Sequence, residues 1–204
     1  MTATPDLLPA LLDFVRHGLE ARWLAAARAE LLAHASGTVL ELGAGQGANF
    51  GHYPPVVRVI AIEPDPARLA EAAVRAAPRP HFSLLRAVGE ALPLSDASVD
   101  TVVSTMVLCS VHDLERSLSE VQRVLRPGGA ILFFEHVRAP EESREAWSQD
   151  MIQPLWGRLS GGCHVNRDTA AHLQTAGFQI QPVRHFRFPI WPARYWILGR
   201  GTRI

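Results

Sequence analysis

The stretch Thr38-Val39-Leu40-Glu41-Leu42-Gly43-Ala44-Gly45-Gln46-Gly47 decides the fold of this chain. An apolar run leads into three closely spaced glycines, which is typical of a strand followed by a tight turn. Glycine in such a turn lets the backbone approach a ligand, because no side chain intervenes. A second apolar run, residues 56–62, ends on Glu63, which lies 20 residues after Gly43. At this offset a carboxylate can bind ribose hydroxyls beside a nucleotide loop.

The composition excludes several classes of protein. The chain has 204 residues, of which 48% are hydrophobic and 20% charged, enough for one globular α/β domain with a sizeable core. Its 20 basic and 20 acidic residues balance, so no basic surface predicts a nucleic-acid partner. Every basic residue is an arginine. Without lysine the chain has no Walker phosphate loop, no Schiff-base lysine and no Tyr-x-x-x-Lys dehydrogenase couple.

The cysteines and apolar runs lead to expectations about compartment and metal content. Cys109 and Cys163 are too few for a disulfide scaffold, and their separation is not that of a zinc knuckle. We therefore predict two reduced thiols and no bound metal. The N-terminus lacks a secretory signal pattern, and the longest apolar run, residues 102–111, is too short to span a bilayer. We expect a soluble cytoplasmic protein without an integral membrane segment, and the oligomeric state stays open.

Strand and helix patterns alternate along most of the chain. Strands are predicted at 38–42, 57–62, 81–87, 99–105 and 129–137, and helices at 66–76, 113–125, 141–158 and 167–176. Asp113 is the predicted N-cap of its helix, and the Pro-Gly-Gly at 127–129 is predicted to end that helix and open the next strand. Two β-rich segments, 178–188 and 194–200, are expected to pair as a hairpin. This rhythm favours a parallel sheet covered by helices on both faces.

The chain divides into two parts within a single domain. Residues up to about 33 carry an amphipathic helical pattern, which packs on the sheet, covers the cleft, or docks on a membrane or a partner. We predict that 1–37 is a helical cap and that 38–204 is the catalytic domain.

Five short motifs, in order over about 100 residues, resemble class I S-adenosylmethionine-dependent methyltransferases. They are Glu41-Leu42-Gly43-x-Gly45-x-Gly47, Glu63, Gly89-Glu90-Ala91-Leu92-Pro93, Ser98-Val99-Asp100 and Leu125-Arg126-Pro127-Gly128-Gly129. The resemblance implies a Rossmann-like α/β fold with a seven-stranded sheet. That sheet would be mostly parallel, with an antiparallel last strand and helices on both faces.

A second set of motifs resembles the small alkyl-thiol methyltransferases of the methyltransferase-like family. The set comprises Gly47-Ala48-Asn49-Phe50, Tyr53-Pro54-Pro55, Val107-Leu108-Cys109-Ser110-Val111, Glu135-His136-Val137 and Gly162-Cys163-x-x-x-Arg167. Animal members carry an N-terminal membrane anchor, and we expect this chain to be a soluble form without one.

The resemblance implies roles for individual residues. The cofactor would be S-adenosylmethionine and the product S-adenosylhomocysteine. The glycine turn would approach the methionine part, Glu63 would accept both ribose hydroxyls, and backbone groups near Gly89 would hold the adenine. The complete predicted cofactor set is Glu41, Gly43, Ala44, Gly45, Glu63, Pro64, Gly89, Glu90 and Leu108, with Leu108 packing on the cofactor.

His136 is the candidate catalytic residue. A small thiol has a pKa of roughly 8.5, so a base would raise the thiolate fraction at neutral pH. His136 ends the predicted fifth strand, and ligand sites in open α/β sheets lie at the carboxyl ends of strands. A histidine that merely bonds backbone is the competing interpretation. Cys109 is interpreted as a small packing residue near the site.

The favoured function is methyl transfer to a small-molecule acceptor, an alkyl thiol or sulfide, to give a thioether. One alternative is transfer to carbon or nitrogen of a small molecule such as a quinone precursor or a phospholipid amine. Because residues 43–48 also fit the dinucleotide pattern G-x-G-x-x-A, a nucleotide-dependent oxidoreductase is a second alternative. A non-catalytic cofactor-binding protein is the third.

Overall fold

The computed structural model describes residues 23–181, 183–188 and 191–204. Its helices are α1 (Ala25–Leu32), α2 (Pro66–Ala76), α3 (Leu114–Val124), α4 (Arg144–Leu159) and α5 (Thr169–Thr175). Its strands are β1 (Thr38–Leu42), β2 (Arg58–Ile62), β3 (Phe82–Leu85), β4 (Val99–Thr105), β5 (Leu125–Val137), β6 (Phe178–Ile180), β7 (Arg184–Arg187) and β8 (Tyr195–Arg203). The strands form one sheet in the order β3-β2-β1-β4-β5-β8-β6, and β7 also pairs with β8.

The sheet is parallel over its first five strands and antiparallel at its C-terminal end. β8 runs antiparallel to β5, and its other edge pairs with both β6 and β7. β6 pairs with the end of β8, where Ile180 faces Gly201, and β7 pairs with its start, where Arg187 faces Tyr195. Together β6 and β7 take the place of one interrupted edge strand. The predicted Rossmann-like sheet, its antiparallel last strand and the C-terminal hairpin are confirmed, with one strand split in two.

Both faces of the sheet are buried. Neighbouring residues of the inner strands point to opposite faces, and each face is covered by packed side chains. Val102 and Ile131 pack into an apolar cluster that also contains Leu118 of α3. Their chain neighbours Val103 and Leu132 pack into a second cluster on the other face, with α1 and α2. The alternation explains why these strands read as nearly continuous apolar runs.

Helix starts follow the side chains that cap them. The Asp65 carboxylate accepts a hydrogen bond from the Ala67 amide at 2.7 Å, and Pro66 occupies the first turn of α2. The Asp113 carboxylate accepts from the Arg116 amide at 2.9 Å, which confirms the predicted N-cap of α3. The Asp65 cap places the start of α2 a few residues after β2, whereas a loop of eight residues separates β4 from the start of α3 at the Asp113 cap.

The start of β5 differs from the prediction. The strand begins at Leu125, immediately after α3, rather than at residue 129. Val99 pairs with Leu125 but Thr101 pairs with Ala130, so the Pro-Gly-Gly segment forms an irregularity within the strand. Gly128 has a left-handed φ of 75°, which a glycine adopts without strain. The prediction that this segment opens the strand was therefore wrong.

The N-terminal part is described only from residue 23. α1 packs against β5 and β8 and buries Leu31 and Leu32 in the core. The predicted cap falls mostly on residues 1–22, which lie outside the described residues. Within the described ranges, no helix is both long enough and apolar enough to cross a membrane.

Candidate active site

A cleft of about 830 Å³ lies at the carboxyl ends of β1, β2 and β4. Small-molecule sites commonly have volumes of about 300–1,000 Å³, and open α/β sheets bind ligands at this edge. Its lining contains every residue of the predicted cofactor set except Leu108. The predicted residues on its walls are Glu41, Gly43, Ala44, Gly45, Glu63, Pro64, Gly89 and Glu90.

Two glycines shape the turn after β1 for different reasons. Gly43 and Gly45 have left-handed φ values of 56° and 54°. A Cβ on Gly43 would lie 2.7 Å from a methyl carbon of Val107, so packing excludes any larger residue there. A Cβ on Gly45 would meet no protein atom within 4 Å. Because Gly45 also lines the cleft, its bare backbone leaves room for a bound molecule.

The Glu63 carboxylate connects the glycine turn to β2. One of its oxygens accepts from the Gly45 amide at 2.8 Å, and the other accepts from the Asp65 amide at 3.0 Å. A carboxylate offers about four acceptor positions, so the two oxygens retain capacity for a diol. Glu63 therefore shapes the turn and also presents hydrogen-bond acceptors to the cleft. Its contact with ribose hydroxyls stays a prediction.

Glu41 belongs to a buried polar network under the glycine turn. Its carboxylate accepts from the Asn49 amide nitrogen at 3.0 Å and from the Tyr53 hydroxyl at 2.9 Å. The Arg28 guanidinium in turn donates to the Asn49 side-chain oxygen and to the Thr105 hydroxyl. Burial raises the pKa of Glu41 to about 7, against the opposing effects of Tyr53, Asn49 and Arg28.

The Glu90 carboxylate binds the backbone amides just before α3. One oxygen accepts from the backbone amides of His112 and Asp113 at 2.8 and 3.1 Å. The carboxylate thereby fixes the part of the cleft wall that His112 and Asp113 form. Gly89 beside it has little room for a side chain, since a Cβ would lie 3.3 Å from the Ser117 hydroxyl. The backbone at 89–90 remains the predicted adenine contact.

The loop after β4 is held by the fully buried Glu135. One oxygen of its carboxylate accepts from the Ser104 hydroxyl at 2.6 Å and from the amides of Val107 and Leu108 at 3.0 and 3.2 Å. Val107 lines the cleft, whereas Leu108 is fully buried in the core. Leu108 is thus the one predicted cofactor residue that does not lie on the cleft wall, because the chain turns inward there.

His136 meets both cysteines behind this loop. Its Nε2 lies 2.9 Å from the sulfur of Cys163, and one donor atom each from Cys109, His136 and Cys163 fall within 4.8 Å of one another. All three residues are buried, and His136 is not part of the cleft lining. Its Nδ1 has no hydrogen-bond partner among the described residues. The sequence separation gave no sign of this cluster.

Neither cysteine of this cluster forms a disulfide, and Cys163 is a neutral thiol as it stands. The hydrogen-bonding contact with Cys109, together with burial, raises the pKa of the Cys163 thiol far above its usual range. A thiol in this state is a poor nucleophile, which argues against covalent catalysis by Cys163.

Several residues on the cleft wall were missed by the sequence analysis. They are Gln46, Arg28, Arg68, Met106, Val107, Ser110, Ser160 and Gly161. Ser160 and Gly161 stand in a small-residue turn that indicates a loop, but nothing local places this loop beside β4. Met106 has a left-handed φ of 60°, a conformation that its side chain does not predict.

Comparison with known proteins identifies the family. The model of a methyltransferase domain matches residues 40–133. Thiol S-methyltransferase TMT1B of Rattus norvegicus is 41% identical over 175 residues, covering 81% of this chain and 70% of that protein. Thiol S-methyltransferase TMT1A of Homo sapiens is 41% identical over 157 residues, covering 75% and 64%. A SAM-dependent methyltransferase structure from Thermotoga maritima has the same fold, with a TM-score of 0.70 at 19% identity over 98% of both chains.

These matches confirm the predicted methyltransferase fold and S-adenosylmethionine as the cofactor. They also decide against the oxidoreductase and non-catalytic alternatives, since the matched family model and the relatives at 41% identity are methyltransferases. The first-matched relatives are longer than this chain, which spans 70% and 64% of their lengths. The chain belongs to the thiol S-methyltransferase family of S-adenosylmethionine-dependent methyltransferases.

Proposed function

We propose that this chain transfers a methyl group from S-adenosylmethionine to a small thiol, giving a thioether and S-adenosylhomocysteine. The observation that carries the acceptor class is the 41% identity with a thiol S-methyltransferase over 81% of the chain. An acceptor that is a small molecule also suits the size of the cleft. We further propose that the protein works in the cytoplasm, in line with its two free thiols.

The residues of the cleft fit this cofactor. When bound, S-adenosylmethionine supplies a methyl group on a positively charged sulfur. The open space at Gly45 would admit the amino-acid part against bare backbone. The carboxylate of Glu63 retains acceptor positions beyond those bonded to the Gly45 and Asp65 amides, and these would take hydrogen bonds from the ribose hydroxyls. Backbone at Gly89 and Glu90 would border the adenine.

Methyl transfer requires little acid–base catalysis by the protein. The main contributions are positioning of the acceptor in line with the methyl group and exclusion of water. The loop 106–111, held by Glu135, forms the wall that would present the acceptor. His136 remains our candidate for promoting thiol deprotonation. Because its Nε2 contacts Cys163 and not the cleft, it would act from behind the wall.

The test combines a cofactor titration with an acceptor screen. Calorimetry is expected to give binding of S-adenosylhomocysteine and none of NADH. Mass spectrometry of products is then run with an alkyl thiol, sulfide, an aminoethanol headgroup amine and a phenolic quinone precursor, each with S-adenosylmethionine. We expect methylated thiol or sulfide as the main product. Methylation of the amine or the carbon acceptor alone would replace the thiol with that class, and binding of NADH would refute the cofactor assignment.

A further inference from the structure

The cluster of Cys109, His136 and Cys163 has the composition of a zinc site. Two thiols and one imidazole are soft and borderline donors, which zinc prefers over hard oxygen ligands. Their donor atoms lie within 4.8 Å of one another, and all three side chains are buried. Catalytic zinc sites typically use three protein ligands and keep a fourth position open.

We propose that Cys109, His136 and Cys163 bind one Zn²⁺ ion, and that the fourth position on this ion takes the sulfur of the acceptor thiol. The second half of this inference rests on the proposed function, whereas the first half does not.

The polar atoms of the cluster favour an ion over ordinary packing. His136 directs Nε2 toward the Cys163 sulfur at 2.9 Å. The two sulfurs and one imidazole nitrogen converge within 4.8 Å of one another in a buried place. One tetrahedral ion bound to all three donor atoms gives each of them the same partner. Two thiolates also cancel the charge of the ion, so the buried complex carries no net charge.

The surroundings suit a thiolate-rich site. The Trp156 indole N–H donates toward the Cys163 sulfur at 3.3 Å, the kind of outer contact that orients a metal ligand. The Arg167 guanidinium donates to the carbonyls of Leu108 and Val111, so it holds a positive charge beside the loop that carries Cys109. When an acceptor thiolate joins the site, this positive charge offsets the added negative one.

The cluster lies directly behind the cleft wall. Ser110 lines the cleft, and its hydroxyl lies 3.4 Å from the Cys109 sulfur. Ser160 and Gly161 line the same cleft just before Cys163 in the chain. The two loops pack closely, since a Cβ on Gly162 would lie 3.5 Å from the Ser110 carbonyl oxygen. The cluster is therefore separated from the cleft by about one side chain, so an acceptor sulfur that enters beside Ser110 would be near the ion.

The chemistry balances without a redox partner. On binding the ion, the acceptor thiol loses its proton to solvent, because coordination strongly favours the thiolate. The acceptor sulfur then forms a bond to the methyl carbon. The bond between that carbon and the sulfonium breaks, and its electron pair stays on the leaving sulfur. The thioether that forms is a much weaker ligand and leaves the ion.

Metal analysis tests the first half. The full chain is purified under reducing, metal-free conditions, supplied with Zn²⁺ and desalted, and zinc is measured by elemental analysis. We expect about one zinc ion per chain for the unmodified protein. His136→Asn and Cys163→Ser should each retain less than about a tenth of this amount. The matched control His185→Asn removes an exposed imidazole on β7 and should keep the full amount. A zinc-free unmodified protein would overturn the inference.

A milder variant covers the case in which ligand variants fail to fold. Trp156→Phe keeps the ring but removes the hydrogen bond to the Cys163 sulfur. Loss of such an outer contact should lower zinc affinity by about 10- to 100-fold. Affinity for S-adenosylhomocysteine should stay unchanged, which verifies the fold. Unchanged zinc affinity in this variant would contradict the proposed site.

Cobalt substitution tests the open position. Co²⁺ in the site should give thiolate-to-metal charge-transfer bands, and adding ethanethiol should change them whereas adding its methyl thioether should not. A spectrum that ignores ethanethiol would overturn the fourth-ligand role. Undiminished thiol methylation by chelator-treated, zinc-free protein would also overturn it, while leaving the proposed function intact. Zinc binding without any thiol methylation would instead refute the proposed function, and the fourth-ligand role with it, while the zinc site itself would stand.

Discussion

The two sides of the cleft are built on different plans. On the β1–β2 side, which we call the glycine side, Gly43, Gly45 and Glu63 come from one local unit, and the carboxylate bonds directly to the turn it shapes. On the β4–β5 side, which we call the cysteine side, Cys109, His136 and Cys163 come from three separate segments. The glycine side offers backbone and spare acceptors, whereas the cysteine side offers soft donors.

Under the proposed function, this difference would separate the two substrates of the reaction. The cofactor, which many enzymes share, would be bound by a short motif that depends on backbone geometry. The acceptor, which differs between enzymes, would face side chains that only the complete fold brings together. Buried carboxylates link the two plans, because Glu63 and Glu135 each hold backbone amides in the loop after a strand.

Replacement of Glu135 should destabilise the cysteine side most strongly while leaving Cys109, His136 and Cys163 unchanged. Glu135→Ala leaves the amides of Val107 and Leu108 and the Ser104 hydroxyl without their buried partner. We expect the free energy of unfolding to fall by about 3–5 kcal/mol, measured by urea denaturation. The control Glu90→Ala removes a more exposed carboxylate that also holds two loop amides and should cost about 1 kcal/mol. Equal losses would show that burial of Glu135 is unimportant.

The glycine side should respond to pH through Glu41. Burial raises the pKa of this carboxyl from 4.5 to about 7, so the folded state binds more protons than the unfolded state between these values. The resulting stabilisation is complete below pH 4.5 and is lost as pH rises through 7. The loss should amount to about 3 kcal/mol. Urea unfolding from pH 4.5 to 8 should show this decline in the unmodified chain, whereas Glu41→Gln should lack it. Parallel profiles would contradict the raised pKa.

A substitution at Glu63 should weaken cofactor binding without changing the zinc site, so it distinguishes the glycine side from the cysteine side. Glu63→Ala removes charged acceptors from the cleft and should weaken S-adenosylhomocysteine binding by about 1–2 kcal/mol in calorimetry. Zinc content should stay constant. The control Glu71→Ala removes an exposed carboxylate of α2 that is not part of the cleft lining, and should leave affinity unchanged. An unaltered dissociation constant for Glu63→Ala would reject the ribose contact.

The smallest expected effects come from two glycine substitutions. Comparing them distinguishes the cost of backbone strain from a clash with the bound cofactor. Gly45→Ala and Gly128→Ala both place a Cβ at a left-handed φ with no protein atom nearby, so each should cost about 1 kcal/mol of stability. Only Gly45 lines the cofactor cleft, so only Gly45→Ala should also weaken S-adenosylhomocysteine binding, by about fivefold or roughly 1 kcal/mol. Equal cofactor affinity in the two variants would exclude close approach of the ligand at Gly45.

The glycine side could be predicted from the sequence more completely than the cysteine side. The glycine turn, Glu63 and the Asp113 cap depend on neighbours within the chain, so residue type and spacing were enough. Leu108 and Val107 were harder, since which of the two faces the cleft depends on the hydrogen bonds that Glu135 makes from another strand. The start of β5 was misjudged because pairing with Val99 outweighs the local break at the Pro-Gly-Gly segment.

The cysteine–histidine cluster was beyond prediction from spacing alone. Cys109 and Cys163 are far apart in the chain, and metal-site patterns rely on ligands a few residues from one another. Their meeting depends on the loop after α4 folding against the loop after β4, where the His164 amide donates to the Cys109 carbonyl at 2.7 Å. A long-range contact of this kind leaves no trace in composition or periodicity.

The position of β8 has a consequence for how the protein is made. Every other strand that the structure describes precedes β8 in the chain, yet β8 is paired along both of its edges, with β5 on one side and with β6 and β7 on the other. While the ribosome is still synthesising this segment, the outer edge of β5 has no strand beside it. Unpaired edges recruit other strands, so newborn chains are most exposed to mispairing with one another in that interval.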